Sequence, residues 1–79
     1  MNRENVSRKI RFPENKKISA QLLGGDRVVI AEYSGYTEGT IREMMNGYRR
    51  ITDKAARAII RLMEERKQLT KSLEEIANQ

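Results

Sequence analysis

Neither cysteine nor histidine occurs anywhere in this chain of 79 residues. Without thiols there is no disulfide staple and no zinc finger, and without imidazole the commonest metal ligand and general base are gone. Tryptophan is missing too, proline occurs once, and aromatic residues make up only 5% of the chain. That scarcity argues against a β-sandwich and for helices. No apolar run resembling a signal peptide follows the opening Met1, Asn2, Arg3, Glu4 and Asn5. The longest apolar stretches fall far short of the ~20 residues that a membrane helix needs. An intracellular, cytoplasmic protein with no membrane partner is expected. The carboxylates read as solvent-facing and no nucleophile has a paired base, so neither catalysis nor a cofactor or metal is expected.

What is present is charge. Sixteen Lys and Arg against eleven Asp and Glu give +5, and the isoelectric point is near 9.9. This balance attracts polyanions, although a basic solvated surface alone would have the same composition. At this length the chain supports one domain, burying roughly 60% of its unfolded surface.

Three stretches follow from composition. Residues 1–13 carry Arg3, Arg8, Lys9 and Arg11 and close at Pro13. They read as an extended basic arm, either a frayed terminus or a segment that tracks phosphates or enters a minor groove. Residues 14–67 hold the domain. A first helix is expected over 15–23, with Ile18, Leu22 and Leu23 apolar before Gly24 and Gly25. Asp26 is then a candidate N-cap for a second helix over 27–34, whose Val28, Val29, Ile30, Ala31 and Tyr33 suggest burial on most sides. A third helix over 38–46 places Ile41, Met44, Met45 and Tyr48 on one face and Gly39, Arg42, Glu43, Asn46 and Arg50 on the other. Asn46 and Gly47 supply its stop. Thr52 caps a fourth helix, with Ile51 placed to staple against Ala56 and a core stripe of Ala55, Ala56, Ile59, Ile60 and Met63. Residues 68–79 continue a spacing of three and four: Ile59, Leu62, Leu69, Leu73 and Ile76 fit a heptad seam interrupted only by Arg66. Those last apolar residues either form a short dimerisation helix or fold back on the core as a fifth helix.

The sharpest signal lies in residues 30–46, which read as a helix, a glycine turn and a second helix with one apolar and one polar face. That is the pattern of a helix-turn-helix. Gly35 can end the first helix with a positive φ at little cost, and the small Ala31 lets the second helix pack close. Thr37 can hydrogen-bond the free N–H groups that follow. Ile30, Ala31, Tyr36, Ile41 and Met44 then occupy positions that such a motif buries. Ser34, just before the glycine, departs from the usual apolar residue there.

The segment from Ala31-Glu32-Tyr33-Ser34-Gly35 to Thr40-Ile41-Arg42 and Asn46 resembles the helix-turn-helix of lac repressor family proteins. With a helix before it and helical segments after it, the chain over residues 15 to 67 more closely resembles lambda repressor-like, Cro-type domains. The resemblance implies an all-α, compact bundle of four to five helices. It also implies a third helix that enters the DNA major groove, commonly from a homodimer on a two-fold symmetric operator. No effector domain of the lac family is expected after Lys67. The expected function is therefore a sequence-specific, DNA-binding transcription regulator, a repressor of phage or mobile-element type acting on double-stranded DNA.

The polar face supplies candidate contacts. Thr37 can give its hydroxyl or backbone N–H to a phosphate, or act as a plain N-cap. Arg42 is the strongest candidate for a base edge, because its planar fork matches guanine O6 and N7. Glu38, four residues earlier, can instead hold Arg42 in an ion pair. Glu43 can accept from cytosine or orient a neighbouring arginine, and Asn46 can pair with adenine or end the helix. Gly39 admits close approach of DNA, or is a mildly unfavourable helix residue. Tyr48, Arg49 and Arg50 suit phosphate positioning, with Lys54 and Arg57 extending that surface. The competing expectation is a protein-interaction module of the same fold, such as an antitoxin, that holds its partner along the C-terminal helix.

Overall fold

The computed structural model describes residues 9–79, and every regular element among them is a helix. In chain order these are α1 (Asn15–Ser19), α2 (Asp26–Ser34), α3 (Glu38–Met45) and α4 (Asp53–Ala77). Helix α2 packs on both α3 and α4, and α1 rests against α3. The core forms where these faces meet: Ile30 and Ala31 from α2, Ile41, Met44 and Met45 from α3, and Ala55, Ala58, Ile59 and Leu62 from α4. Leu22, Val29, Tyr33, Tyr36, Ile51 and Met63 close its edges.

Local chemistry sets most of the boundaries. Thr37 and Thr52 both sit in extended conformation, and their side-chain oxygens accept from the N–H groups of Thr40 and Ala55. Each thus satisfies one of the free donors at a helix start. Gly35 ends α2 at φ 82°, and its N–H donates to the Ala31 carbonyl. Gly47, after α3, stands at φ 87°. Both angles lie in the left-handed region that glycine adopts without Cβ strain. Ser34 is buried, and its hydroxyl bonds the Ala31 carbonyl while accepting from the Tyr36 N–H. A serine therefore serves at this position because its hydroxyl is satisfied locally.

Several sequence expectations are corrected. Asp26 is the first residue of α2 rather than its cap, a place taken by Gly25. Its carboxylate is buried: one oxygen accepts from the Leu23 N–H at 2.7 Å and the other from Arg66 at 2.6 Å. Helix α1 stops at Ser19 instead of reaching residue 23. Val28 and Ile60 are 44% and 59% exposed, so the apolar density of their helices exceeds what the neighbouring helices cover. No fifth helix folds back. Helix α4 runs unbroken for 25 residues, about 37 Å at 1.5 Å per residue, and draws the protein out to 58 × 23 × 20 Å. Leu69, Leu73 and Ile76 lie exposed on its far half.

Arg66, which breaks the apolar seam in sequence, is the residue that reaches Asp26 and ties α4 to the start of α2. Nearby, Arg27 donates to the Ser19 hydroxyl at 2.7 Å and joins α2 to α1. Across the α2–α4 contact, Tyr33 donates to Glu65, and the Arg61 guanidinium stacks 3.6 Å from the Tyr33 ring centre. Among the described residues no helix is long and apolar enough to cross a membrane.

Candidate nucleic-acid interface

Helix α3 divides cleanly. Ile41, Met44 and Met45 are buried to within 1% of full coverage, whereas Glu38, Gly39, Arg42 and Asn46 are exposed on the other side. The Thr37 cap fixes its start. The Thr37 oxygen accepts from the Thr40 N–H at 3.1 Å, and its hydroxyl lies 3.0 Å from the Thr40 hydroxyl. Gly39, the second residue of α3, leaves a bare patch in its first turn, where an added Cβ would meet nothing closer than the Thr37 oxygen at 3.9 Å.

Two carboxylates hold two arginines. Glu38 accepts from Arg42 at 2.6 Å along the helix, with both side chains about half exposed. An exposed pair at this spacing is worth about 0.3–0.5 kcal/mol, so Arg42 exchanges partners readily. Glu43 is half-buried and bonds Arg49 through both Nε (3.1 Å) and a terminal nitrogen (3.0 Å). That is the orienting role that the sequence offered as an alternative to a base contact.

Beyond Met45 the chain turns through Asn46, the C-cap, and Gly47. Tyr48, half-buried, donates its N–H to the Glu43 carbonyl at 3.0 Å, and Arg49 and Arg50 follow on the surface. This turn also gathers the segment before α1. The N–H groups of Arg11 and Phe12 both donate to the Gly47 carbonyl, at 3.0 and 2.9 Å. Asn15 donates from its side-chain nitrogen to the carbonyls of Met44 at 2.9 Å and Arg49 at 3.0 Å. Residues 10–12 therefore dock on the end of α3, and residues 1–8 of the expected arm, Arg3 and Arg8 among them, lie outside the described residues.

Sequence reasoning missed this junction. Asn15 reads as an ordinary helix residue, and nothing local reveals two carbonyls about thirty residues away. Its effect is to place Lys9, Arg11, Lys16 and Lys17, all exposed, on the same end of the molecule as Arg49 and Arg50. At the other end of α3, Lys54 lies over the Tyr36 ring at 4.8 Å, its nitrogen beside the Gly35 turn. The Tyr36 hydroxyl is 2.9 Å from that of Thr52. Cationic side chains thus stand near both ends of α3, while its exposed side also carries Glu38. Arg57 is exposed on the first turns of α4. Among the described residues no group of three or more acidic side chains is placed to hold a metal ion.

Comparisons with protein-family models, with curated proteins and with solved structures each find no match to this chain.

Proposed function

We propose that the protein is a sequence-specific DNA-binding regulator of helix-turn-helix, lambda repressor-like type. In this reading α2 and α3 form the motif, α3 lies in the major groove, and repression follows from occupying an operator. One observation carries it: α3 is capped by Thr37, anchored by a fully buried face, and free on a polar face bracketed by cations at both ends. Arg42 is the residue for a base edge, with Asn46 beside it. Arg49, Arg50 and Lys54 position phosphates, and Arg11 and Lys16 extend that backbone contact. The Glu38 pair lays Arg42 back along α3, and a guanine edge would have to replace the carboxylate. A homodimer on a two-fold symmetric site is the expected binding form.

Selection of tight-binding duplexes from a random pool tests this directly. The expected product is a palindromic consensus with half-sites about 34 Å apart, bound with an affinity that falls steeply as salt rises. Arg42→Ala is expected to relax preference at one base pair by about 1–3 kcal/mol. Arg50→Ala is expected to weaken all sequences alike and lower the salt slope by about one. Equal losses across sequences from both changes would remove Arg42 from the base-reading role. A second reading, a protein-interaction module of the antitoxin kind, draws on the uncovered far half of α4. Absence of salt-dependent affinity for any duplex would favour it.

A further inference from the structure

The far half of α4 leaves the body of the protein with one apolar side uncovered. Ile59 and Leu62 are buried, and the same seven-residue spacing carries on through Arg66 to Leu69, Leu73 and Ile76, which are 63%, 59% and 64% exposed. A free helical segment of about a dozen residues is marginal in water. Three large aliphatic side chains along one side of it call for a cover.

The pattern of charge says what the cover is. The positions flanking the stripe, Thr70, Ser72 and Ala77, are small and uncharged, so another helix can approach closely without meeting charge. From Arg66 onward, past Glu64 and Glu65, the charged residues fall in two blocks, Arg66, Lys67 and Lys71 first and Glu74 and Glu75 last, with all but Arg66 on the outer side of the helix. Two such helices side by side in the same direction would set acid against acid and base against base. Reversed about residue 71, Glu75 of each helix lies level with Lys67 of the other, and Glu74 with the neutral Gln68. An axis at residue 71 then puts Leu69 opposite Leu73 of the second copy, and Arg66 opposite its Ile76. The Arg66 head is committed to Asp26, which leaves its aliphatic stem available to that isoleucine. Lys71 sits on the axis but on the outer surface, away from the stripe.

We infer that the stripe Leu69, Leu73 and Ile76 binds a second copy of this chain, the two α4 helices pairing antiparallel about Lys71. The pairing deepens the dimeric part of the proposed function and is independent of its DNA part, since it is measured with no duplex present. The seam is under two heptads long, so the affinity is about micromolar or weaker.

Sedimentation equilibrium of the full chain, from about 10 μM to 1 mM, tests it. Reversible monomer–dimer behaviour is expected. Leu69→Lys combined with Leu73→Lys, both at exposed positions, is expected to leave a folded monomer that melts at the parent's low-concentration temperature. Direction is read by linking single cysteines with a short bifunctional maleimide, which the natural absence of cysteine makes clean. In the antiparallel pair Ser72→Cys links rapidly, whereas Ile76→Cys, about 15 Å from its twin along the axis, does not. A parent chain that stays monomeric throughout, a double variant that still pairs, or faster linking at position 76 than at position 72 would each overturn the proposal.

Discussion

Asp26 shows how one residue can tie two helices and a loop together. Burial by itself pushes its carboxyl up. The hydrogen bonds from Arg66 and from the Leu23 N–H, with the positive charges of Arg66 and Arg27, outweigh burial and hold it below its ordinary value of 3.8. A carboxylate whose pKa is depressed on folding contributes stability that is fully present above its unfolded value and is lost as pH falls through the folded one. Asp26→Asn should therefore cost about 2 kcal/mol in urea unfolding at pH 7, because Arg66, only a third exposed, loses its counter-charge. The gap between parent and variant should narrow as pH is taken below 3.8. A gap that stays constant from pH 7 to pH 2 would show that shape rather than charge is what Asp26 supplies. Gly47 offers a second test at this scale. An added Cβ would stand 2.8 Å from Ile10 Cγ2 and 2.9 Å from the Phe12 carbonyl oxygen, on a backbone at φ 87°. The isoleucine tip can swing aside, but the carbonyl is held by the chain. Gly47→Ala is expected to lower stability by about 2 kcal/mol, of which about 1 kcal/mol is the left-handed conformation alone. Thermal unfolding checks it.

Among the elements, α3 carries the test that separates folding from recognition. Gly39 is exposed, helical and open around its missing side chain, so Gly39→Ala should stabilise the protein by up to about 1 kcal/mol through helix propensity. On the proposed reading the added methyl stands between α3 and the groove floor, so duplex affinity should fall while the melting temperature rises. Both rising together would count against docking by this face. The end of α2, both ends of α3 and the start of α4 were legible in the sequence because their determinants are local: Gly35, Thr37, Gly47 and Thr52 act on backbone groups within a few residues. The rest was decided at a distance. Asp26 and Arg66 are 40 residues apart, and Asn15 reaches Met44 and Arg49 across 29 and 34. An aspartate before a helix looks the same in sequence whether it caps or bridges, and an arginine in a heptad looks like a defect until its partner is seen. Helix α4 was ambiguous for another reason. Its apolar spacing suits a hairpin or a straight run equally, and the absence of glycine and proline from 53 to 77 favours the straight one. Within the candidate interface, the face of α3 and the Glu38–Arg42 pair follow from helical spacing. The cations that docking brings from residues 9–17 do not.

Taken whole, the molecule is a small body with a long extension. The last buried residue is Leu62, and beyond it only Met63, Arg66 and Ser72 are even half-covered. A chain ending at Lys67 keeps every core residue and the Asp26–Arg66 pair. Its unfolding free energy at low concentration should therefore lie within about 1 kcal/mol of the parent, with a nearly unchanged urea m-value, because that slope follows the surface exposed on unfolding. Concentration should then separate the two proteins. If two copies pair along α4, the parent's melting temperature climbs as protein concentration rises, since association stabilises only the folded form. The shortened chain should melt at one temperature throughout. The same cut bears on DNA. Joining two reading heads turns the second half-site contact into an intramolecular one, so affinity for a palindromic duplex exceeds that for a single half-site by far more than twofold. Removing the extension should collapse that ratio toward the statistical factor while leaving half-site affinity in place. A ratio unchanged by the truncation would move the dimer contact from α4 to the body, and loss of half-site binding would instead implicate the extension in the DNA contact itself.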